Sequence, residues 1–347
     1  MKKTLATVLK LILIAICFHL IFRKLNIADV EGRLRGATFH LVLLAFLTIL
    51  SEPLVMAAKW NILLKQKGIK AGYFAIVRIL FSSNFLGVTM PSVGMDVIRI
   101  YMVKQRNHDF VHATGTLVAD RLMAVGVLAM MSLLATPVVW GMVSVPTHVA
   151  VGILSVSLLI LAGLALAISP VAGNVIKWLS ASLGRLAGDN SQHARPWLSI
   201  ARTALHKGAV FMEQVHISIR SLFAARGRGL LIVFLLNIAV QMLRVTQVHL
   251  LFRSVGIAVP LTQELAFVPI IIMLTLLPIS WFGLGIKEGA FVFLFSQVGV
   301  APASALAVSF ITYPLIFAAL LPGAVFLLLG NRNADCPPLP IPKERVT

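Results

Sequence analysis

Acidic residues are scarce in this sequence of 347 residues. It contains 12 Asp and Glu against 30 Lys and Arg, which gives a formal net charge of +18, and only 12% of its residues are charged. Soluble globular domains average about 25% charged residues. Together with 59% hydrophobic residues and a mean hydropathy of +0.95, this scarcity excludes a soluble domain and predicts an all-α polytopic membrane protein.

Cysteine is also nearly absent. Cys17 and Cys336 are isolated, so the sequence predicts neither a disulfide framework nor a metal site. It has no Gly-x-Ser-x-Gly elbow, phosphate-binding loop or metal-spaced histidine set, and we therefore expect no catalytic residue and no cofactor. Nothing resembles a nucleic-acid-binding motif, so nucleic acid is not an expected partner.

Long apolar runs dominate the sequence. Each predicted span is close to the roughly 20 residues that cross a bilayer. Two further apolar segments are interrupted, and either could be a re-entrant hairpin or two short spanning helices. The predicted spans are 4–22, 38–58, 112–136, 148–169, 229–251 and 303–329, and the interrupted segments are 73–106 and 263–298.

Basic residues predict the orientation of these spans. The connections 59–106 and 170–228 each carry eight Lys and Arg, whereas the turn at 137–147 carries none. Loops rich in Lys and Arg face the cytoplasm. We therefore expect a bacterial inner-membrane protein with both termini in the cytoplasm, although the basic residues of the first external loop, Arg23, Lys24, Arg33 and Arg35, oppose this orientation.

One integral membrane domain is expected over residues 1–330. Its halves, 1–169 and 229–330, are joined by the basic segment 170–228, which reads as amphipathic cytoplasmic helices. This segment either docks on anionic lipids of the inner leaflet or is a solvated linker. The proline-rich tail 331–347 is predicted to be disordered.

The two interrupted segments resemble each other. The first places Pro91 and Ser92 before Gly94, and the second has a similar Pro, Ser and Gly pattern, which ends in Gly283 and Gly285. Backbone that leaves a helix inside a bilayer needs protein or a wet cavity around it. Paired breaks in two halves point to a transporter's binding site, so we expect an inverted repeat that binds substrate at these breaks.

Ionisable residues follow the first break. Asp96 and Arg99 lie three apart, on one face of a helix expected to begin after Gly94. With Ser92 they suit a phosphate at a helix N-terminus. The alternative is a local Asp–Arg pair that orients the hairpin.

Further ionisable groups lie within the predicted spans. Asp120 could pair with Arg99 and leave Arg121 for a ligand, or Asp120 and Arg121 could only anchor their helix. Glu52 is deep enough to need a partner, whereas Lys59, near the predicted end of its span, is expected to snorkel to the surface.

The second half supplies a matching set of residues. Asn237, Gln241 and Arg244 recur on one helical face, which indicates a cavity lining, and Arg244 is expected to contact substrate. Ser280 belongs to the second break. Lys287 and Glu288 follow this break and point about 100° apart, so they are expected to meet different partners. The predicted cavity lining comprises Glu52, Asn84, Asn237, Gln241 and Tyr313.

With these motifs, the sequence resembles the transmembrane domain of lysylphosphatidylglycerol synthase/flippase proteins over roughly residues 5–330. The resemblance rests on Met90-Pro91-Ser92-Val-Gly94-Met-Asp96-Val-Ile-Arg99, on Asp120-Arg121-Leu122 and on Leu277-Pro278-Ile-Ser280-Trp-Phe-Gly283-Leu-Gly285-Ile-Lys287-Glu288-Gly289. It implies movement of lipids with anionic or phosphate-bearing headgroups. The aminoacyltransferase domain of the bifunctional members is not expected here.

Transport of a phospholipid, a polyprenyl-phosphate-linked lipid or a hopanoid-type lipid is thus the expected function. The alternatives are a membrane-embedded lipid or glycosyl transferase that uses a polyprenyl-phosphate donor, and a structural partner in envelope assembly. The expected partners are the lipid substrate and anionic inner-leaflet lipids, and a homo-oligomer or an envelope-biosynthesis partner is left open.

Overall fold

The computed structural model contains helices joined by short turns, and no strand, in the part of the chain that it describes, residues 32, 35–69, 71–87, 92–104, 110–142, 146–188, 196–224, 227–276 and 284–330. The eleven helices within these ranges are α1 (Phe39–Gln66), α2 (Tyr73–Gly87), α3 (Ser92–Lys104), α4 (Phe110–Met142), α5 (Thr147–Ile168), α6 (Pro170–Gly188), α7 (Pro196–Ala224), α8 (Arg228–Ser254), α9 (Leu261–Leu276), α10 (Ile286–Ser296) and α11 (Pro302–Gly330).

Five of these helices are long and apolar enough to cross a membrane: α1, α4, α5, α8 and α11. They coincide with five predicted spans, and the all-α polytopic prediction is confirmed. The sixth predicted span, 4–22, and the tail 331–347 lie outside the described residues. The structure extends α1 from the predicted end at residue 58 to Gln66, because the apolar pattern continues past Lys59.

Each interrupted segment folds as two short helices, α2 with α3 and α9 with α10. The expectation that α3 begins after Gly94 is wrong, because this helix begins at Ser92 and Gly94 lies in its first turn. In the second segment, α10 follows Gly285, which has a φ of +82° that favours glycine. The side chain of Glu288 caps this helix by accepting a hydrogen bond from the Gly285 N–H at 2.6 Å.

The helices α1 and α8 end in the same way. Gly68 after α1 and Gly256 after α8 both have positive φ, at 74° and 78°. The next residue in each case, Ile69 or Ile257, donates its N–H to a carbonyl in the last turn of the helix. This is the glycine-terminated Schellman arrangement, and it fixes where the chain leaves each helix.

The helices α1 and α8 pack against each other in antiparallel orientation. The N–H of Thr38, before α1, donates to the carbonyl of Ser254 at the end of α8 at 2.8 Å. At the other end, Gly229 of α8 lies against Gln66 of α1. The first and last turns of the two helices therefore meet, and side chains in their middle face one another.

Short and long helices pack together around this central pair. α2 packs on α11 and α9 packs on α4, while α3 contacts α4 and α10 contacts α11. One apolar core joins α4 and α5 to α8–α11, and a second joins α1–α4. This packing brings ionisable side chains of α1, α3, α4 and α8 together.

Candidate functional site

The short helix α3 is joined to α4 by a two-point ion pair. Arg121 donates from Nε to Asp96 Oδ2 at 3.1 Å and from Nη2 to Asp96 Oδ1 at 2.8 Å. Side-by-side guanidinium–carboxylate bonds of this kind are stronger than neutral ones and fix the geometry. The two side chains keep exposed fractions of 34% and 23%, so an approaching ligand can reach this pair.

Arg99 lies on the same helix, but it is buried. It donates from Nη1 to Asp96 at 3.0 Å, from Nε to Ser83 at 3.1 Å and from Nη2 to Asn84 at 2.6 Å. The local Asp96–Arg99 pair, given above as the alternative to a phosphate site, is present, and its cation also holds α2 against α3. Arg121 is therefore the more accessible of the two arginines.

Lys59 forms a buried contact point of three helices. Its Nζ lies 2.9 Å from Asp120 Oδ1 on α4 and donates to Asn237 Oδ1 on α8 at 2.8 Å. The expectation that Lys59 snorkels is wrong: because α1 continues to Gln66, Lys59 lies inside the packed helix with an exposed fraction of 2%. Asp120 pairs with Lys59 and not with Arg99.

A second pair joins α1 to α8 closer to the start of α1. Arg244 forms an ion pair with Glu52, and its Nη1 also donates to Gln241 at 3.4 Å. Asn237, Gln241 and Arg244 thus share one face, as the spacing predicts. The structure places this face against α1, because the antiparallel packing brings each polar turn of α8 opposite a charged residue of α1.

We call these seven ionisable residues the charge network. They are close enough to act on one another: Glu52 and Asp120 both interact electrostatically with Arg99 and Arg121. The network contains four cations and three carboxylates, so its formal charge is positive by one. Its members are Glu52, Lys59, Asp96, Arg99, Asp120, Arg121 and Arg244.

The second half contains a smaller cluster around Glu288, which we call the α10–α11 cluster. Glu288 is fully buried, caps Gly285 and accepts hydrogen bonds from Tyr313 and, at 3.4 Å, from Ser309. The Lys287 ammonium lies 4.5 Å from the centroid of the Tyr313 ring. A cation over an aromatic face is stabilised by the ring's quadrupole. Lys287 and Glu288 thus share Tyr313, through its ring and its hydroxyl respectively, and the expectation that they meet different partners is wrong.

The two clusters share a pattern. Arg121 lies 25 residues after Asp96, and Tyr313 lies 25 residues after Glu288. In each case a carboxylate at the start of the short helix accepts from a donor on the long helix that follows. The donor is a charged guanidinium in the first half and a neutral phenol in the second.

Not all of the predicted site residues take part in these contacts. Ser280 and Gly283 lie outside the described residues, as does the side chain of Ser92. The contacts of Lys287 lie within its own half, with Glu288, Tyr313 and Phe291.

The interpretation of the sequence named Lys59 but placed it at the surface, and it missed two contributors to the clusters, Ser83 and Ser309. Lys59 lies two helical turns after Glu52 on one face, which is a signal for a shared charged environment. The two serines carry no such signal, because a serine in an apolar helix usually bonds to its own backbone.

Comparison with known proteins identifies the family of this chain. No curated protein matches the chain. The family described as lysylphosphatidylglycerol synthase TM region matches residues 7–323. The match includes every residue of the charge network and of the α10–α11 cluster, and nearly all of the chain. This multi-pass membrane protein therefore belongs to the lysylphosphatidylglycerol synthase transmembrane-region family.

Proposed function

We propose that this protein is a lipid flippase that moves a lipid with an anionic or phosphate-bearing headgroup across the bacterial inner membrane. Membership of a family named for a lipid synthase's membrane region supports a lipid substrate. The observation that carries the proposal is the excess of one cation in the charge network.

An excess positive charge inside a bilayer is costly. Arg or Lys at the centre of a spanning helix costs about 2.5–3.5 kcal/mol on insertion scales. Three of the four cations are offset by Glu52, Asp96 and Asp120, and an anionic headgroup would offset the fourth. The network thus suits an anion better than a cationic or neutral lipid.

Arg121 is the residue we expect to meet the headgroup first. It is partly exposed, whereas Arg99 and Lys59 are almost fully buried by protein partners. A phosphate offers oxygens in the same geometry as the carboxylate of Asp96 and can exchange with it on the guanidinium. Asp96 would then keep Arg121 paired when no lipid is bound, while the acyl chains stay in the bilayer.

The proposed movement is alternating access by two inverted halves. The antiparallel packing of α1 and α8 supports it, as do the helix contacts that recur between the halves. In such an arrangement the α10–α11 cluster is the counterpart of the Asp96–Arg121 pair on the opposite side. We propose that the headgroup moves between the Asp96–Arg121 pair and the α10–α11 cluster near the midplane of the bilayer.

The proposed orientation has both termini in the cytoplasm. It places α6 and α7, with the basic residues of 170–228, at the inner leaflet, where anionic lipids attract Lys and Arg by about 1 kcal/mol per charge. The exposed apolar residues Val171, Val175 and Trp178 on one face of α6 support contact with the bilayer surface.

A reconstituted transport assay tests the proposal. Purified protein in vesicles that contain fluorescent phosphatidylglycerol should speed its exchange between leaflets, as measured by quenching with a membrane-impermeant reductant. Arg121→Gln should lower the protein-dependent rate by about tenfold or more, because it loses a two-point charged contact worth ~1.5–3 kcal/mol. Arg220→Gln on the exposed face of α7 is the matched control and should leave the rate unchanged.

Two outcomes would contradict the proposal. One is the absence of any protein-dependent exchange for phosphatidylglycerol and for a polyprenyl-phosphate lipid. The other is covalently altered lipid, detected by mass spectrometry of the recovered vesicles, since transport leaves the substrate unchanged.

A further inference from the structure

A buried carboxylate outside the charge network interacts with a histidine. Glu264, in the first turn of α9, has an exposed fraction of 0%, and its Oε2 lies 2.9 Å from Nδ1 of His249 on α8. Its other oxygen, Oε1, is buried and has no hydrogen-bond partner among the described residues. A buried carboxylate oxygen without a donor is costly, and proteins seldom keep one that serves only packing.

The charge of this pair changes with a single proton. Without the proton, a carboxylate faces a neutral imidazole and the pair carries a negative charge that protein buries. With the proton, on either Glu264 or His249, the pair is neutral overall. Because an uncompensated buried charge is strongly unfavourable, one proton changes the local free energy substantially.

Few other charges act on this pair. Arg253, on the last turn of α8, interacts electrostatically with both His249 and Glu264. Most titratable groups on the helices packed against α8 and α9 belong to the charge network or the α10–α11 cluster. The others on these helices are His40, Lys65, His112 and Arg228, besides Arg253 and the pair itself.

The position of the Glu264–His249 pair allows a proton to reach it from solvent and to affect the packing of α9. His249 has a side-chain exposed fraction of 28%, whereas Glu264 is fully enclosed, so the imidazole is an entry point for the carboxylate. In the proposed orientation α8 ends on the external side, from which protons enter a respiring bacterium. α9 packs against α4, which carries Asp120 and Arg121, and against α10, which carries Lys287 and Glu288.

From this geometry we infer that Glu264 and His249 form a proton-binding site that couples lipid movement to the transmembrane proton gradient. The inference rests on the proposed flippase function and adds its driving ion. Uptake of a proton at Glu264 removes a buried negative charge at the start of α9. The repacking of α9 against α4 and α10 would then favour one of the two access states.

Proton binding can be measured without any transport. Infrared difference spectra of the purified protein between neutral and acidic pH should show the carbonyl band of a buried carboxylic acid. Glu264→Gln should abolish this band, whereas Glu213→Gln on α7 should retain it. His249→Gln keeps the carboxylate and should shift the pH at which the band appears by about one unit, as expected for loss of a hydrogen bond to a charged group.

Coupling is measured in the same vesicles used for the transport assay. An imposed proton gradient should change the rate of phosphatidylglycerol exchange by wild-type protein, and a trapped pH dye should report proton movement that depends on the lipid. Glu264→Gln should lose both responses, while Glu213→Gln should keep them.

Three results would overturn the inference. A carbonyl band that survives Glu264→Gln means that another group binds the proton. If the rate of lipid exchange by wild-type protein does not change with the proton gradient, proton binding is not coupled to transport. If wild-type protein shows the band but moves no lipid under any gradient, coupling fails together with the proposed function.

Discussion

Lys59 on α1 and Asp120 on α4 form an ion pair in which Nζ lies 2.9 Å from Oδ1, and both side chains are almost fully buried. The pair sits where α1, α4 and α8 meet, since Asn237 of α8 accepts a further hydrogen bond from Lys59. A pair of this kind makes the packing of three helices depend on two charges.

Removal of one partner of this pair should destabilise the protein strongly. Lys59→Met leaves Asp120 as an unpaired buried charge, which costs about 3–5 kcal/mol. The exposed Lys65→Met on the same helix should change the free energy of unfolding in micelles by less than about 0.5 kcal/mol. The double variant Lys59→Met with Asp120→Leu should recover much of the loss. Equal stability of the two single Met variants would contradict the role of the pair.

We expect that lysine at position 121 cannot support transport in place of arginine. Lysine offers one compact ammonium and cannot make the two side-by-side bonds that Arg121 makes with Asp96. We expect Arg121→Lys to lower the rate of lipid exchange nearly as much as Arg121→Gln does. Arg220→Lys, measured in the same assay, should have no effect. Full activity of Arg121→Lys would show that only the charge matters there.

The hydroxyl of Tyr313 should contribute to stability and transport through Glu288. Tyr313→Phe keeps the ring under Lys287 and removes the donor to a buried carboxylate, so we expect a loss of about 1.5–3 kcal/mol in unfolding free energy. Tyr73→Phe is the matched control, because its hydroxyl bonds to the Leu54 carbonyl at an exposed site. A loss at Tyr73 as large as that at Tyr313 would argue against a special role for Glu288.

Close packing of α2 on α11 should require glycine at position 323. A Cβ added to Gly323 would collide with the backbone of Phe81 and the side chain of Phe85, whereas one added to Gly163 of α5 would meet nothing within 4 Å. Membrane helices gain stability from such close approach. Gly323→Ala should cost about 1–3 kcal/mol in unfolding free energy. Gly163→Ala should be neutral or slightly stabilising, and a similar loss at both positions would refute close packing at α11.

Labelling with a membrane-impermeant thiol reagent tests the proposed orientation. In a chain whose Cys17 and Cys336 are replaced by Ser, His148→Cys at the start of α5 should react in intact cells with a permeable outer membrane. Lys207→Cys on α7 should react only after lysis, and both positions are exposed. The reverse pattern would place the basic segment 170–228 outside the cell.

Much of the fold could be predicted because its causes are local. The length of each apolar run predicts a span, and Pro and Gly in the two interrupted segments predict where helices stop. The prediction that the second span ends at residue 58 is wrong because the contact that stabilises Lys59 is not local. Lys59 resembles a boundary when read alone, whereas its ion-pair partner Asp120 lies on another helix and stabilises the charge inside the protein.

The order of amino acids alone predicts a polytopic helical membrane protein with paired breaks and with ionisable residues within its apolar segments. Hydrophobic length and backbone hydrogen bonding depend on neighbouring residues, so they can be read along the chain. The packed helices are needed to show that Lys59 meets Asp120, that Arg244 meets Glu52 and that Arg121 meets Asp96. These partners are distant in sequence, and their choice depends on the antiparallel packing of α1 on α8 and on the position of α3 against α4.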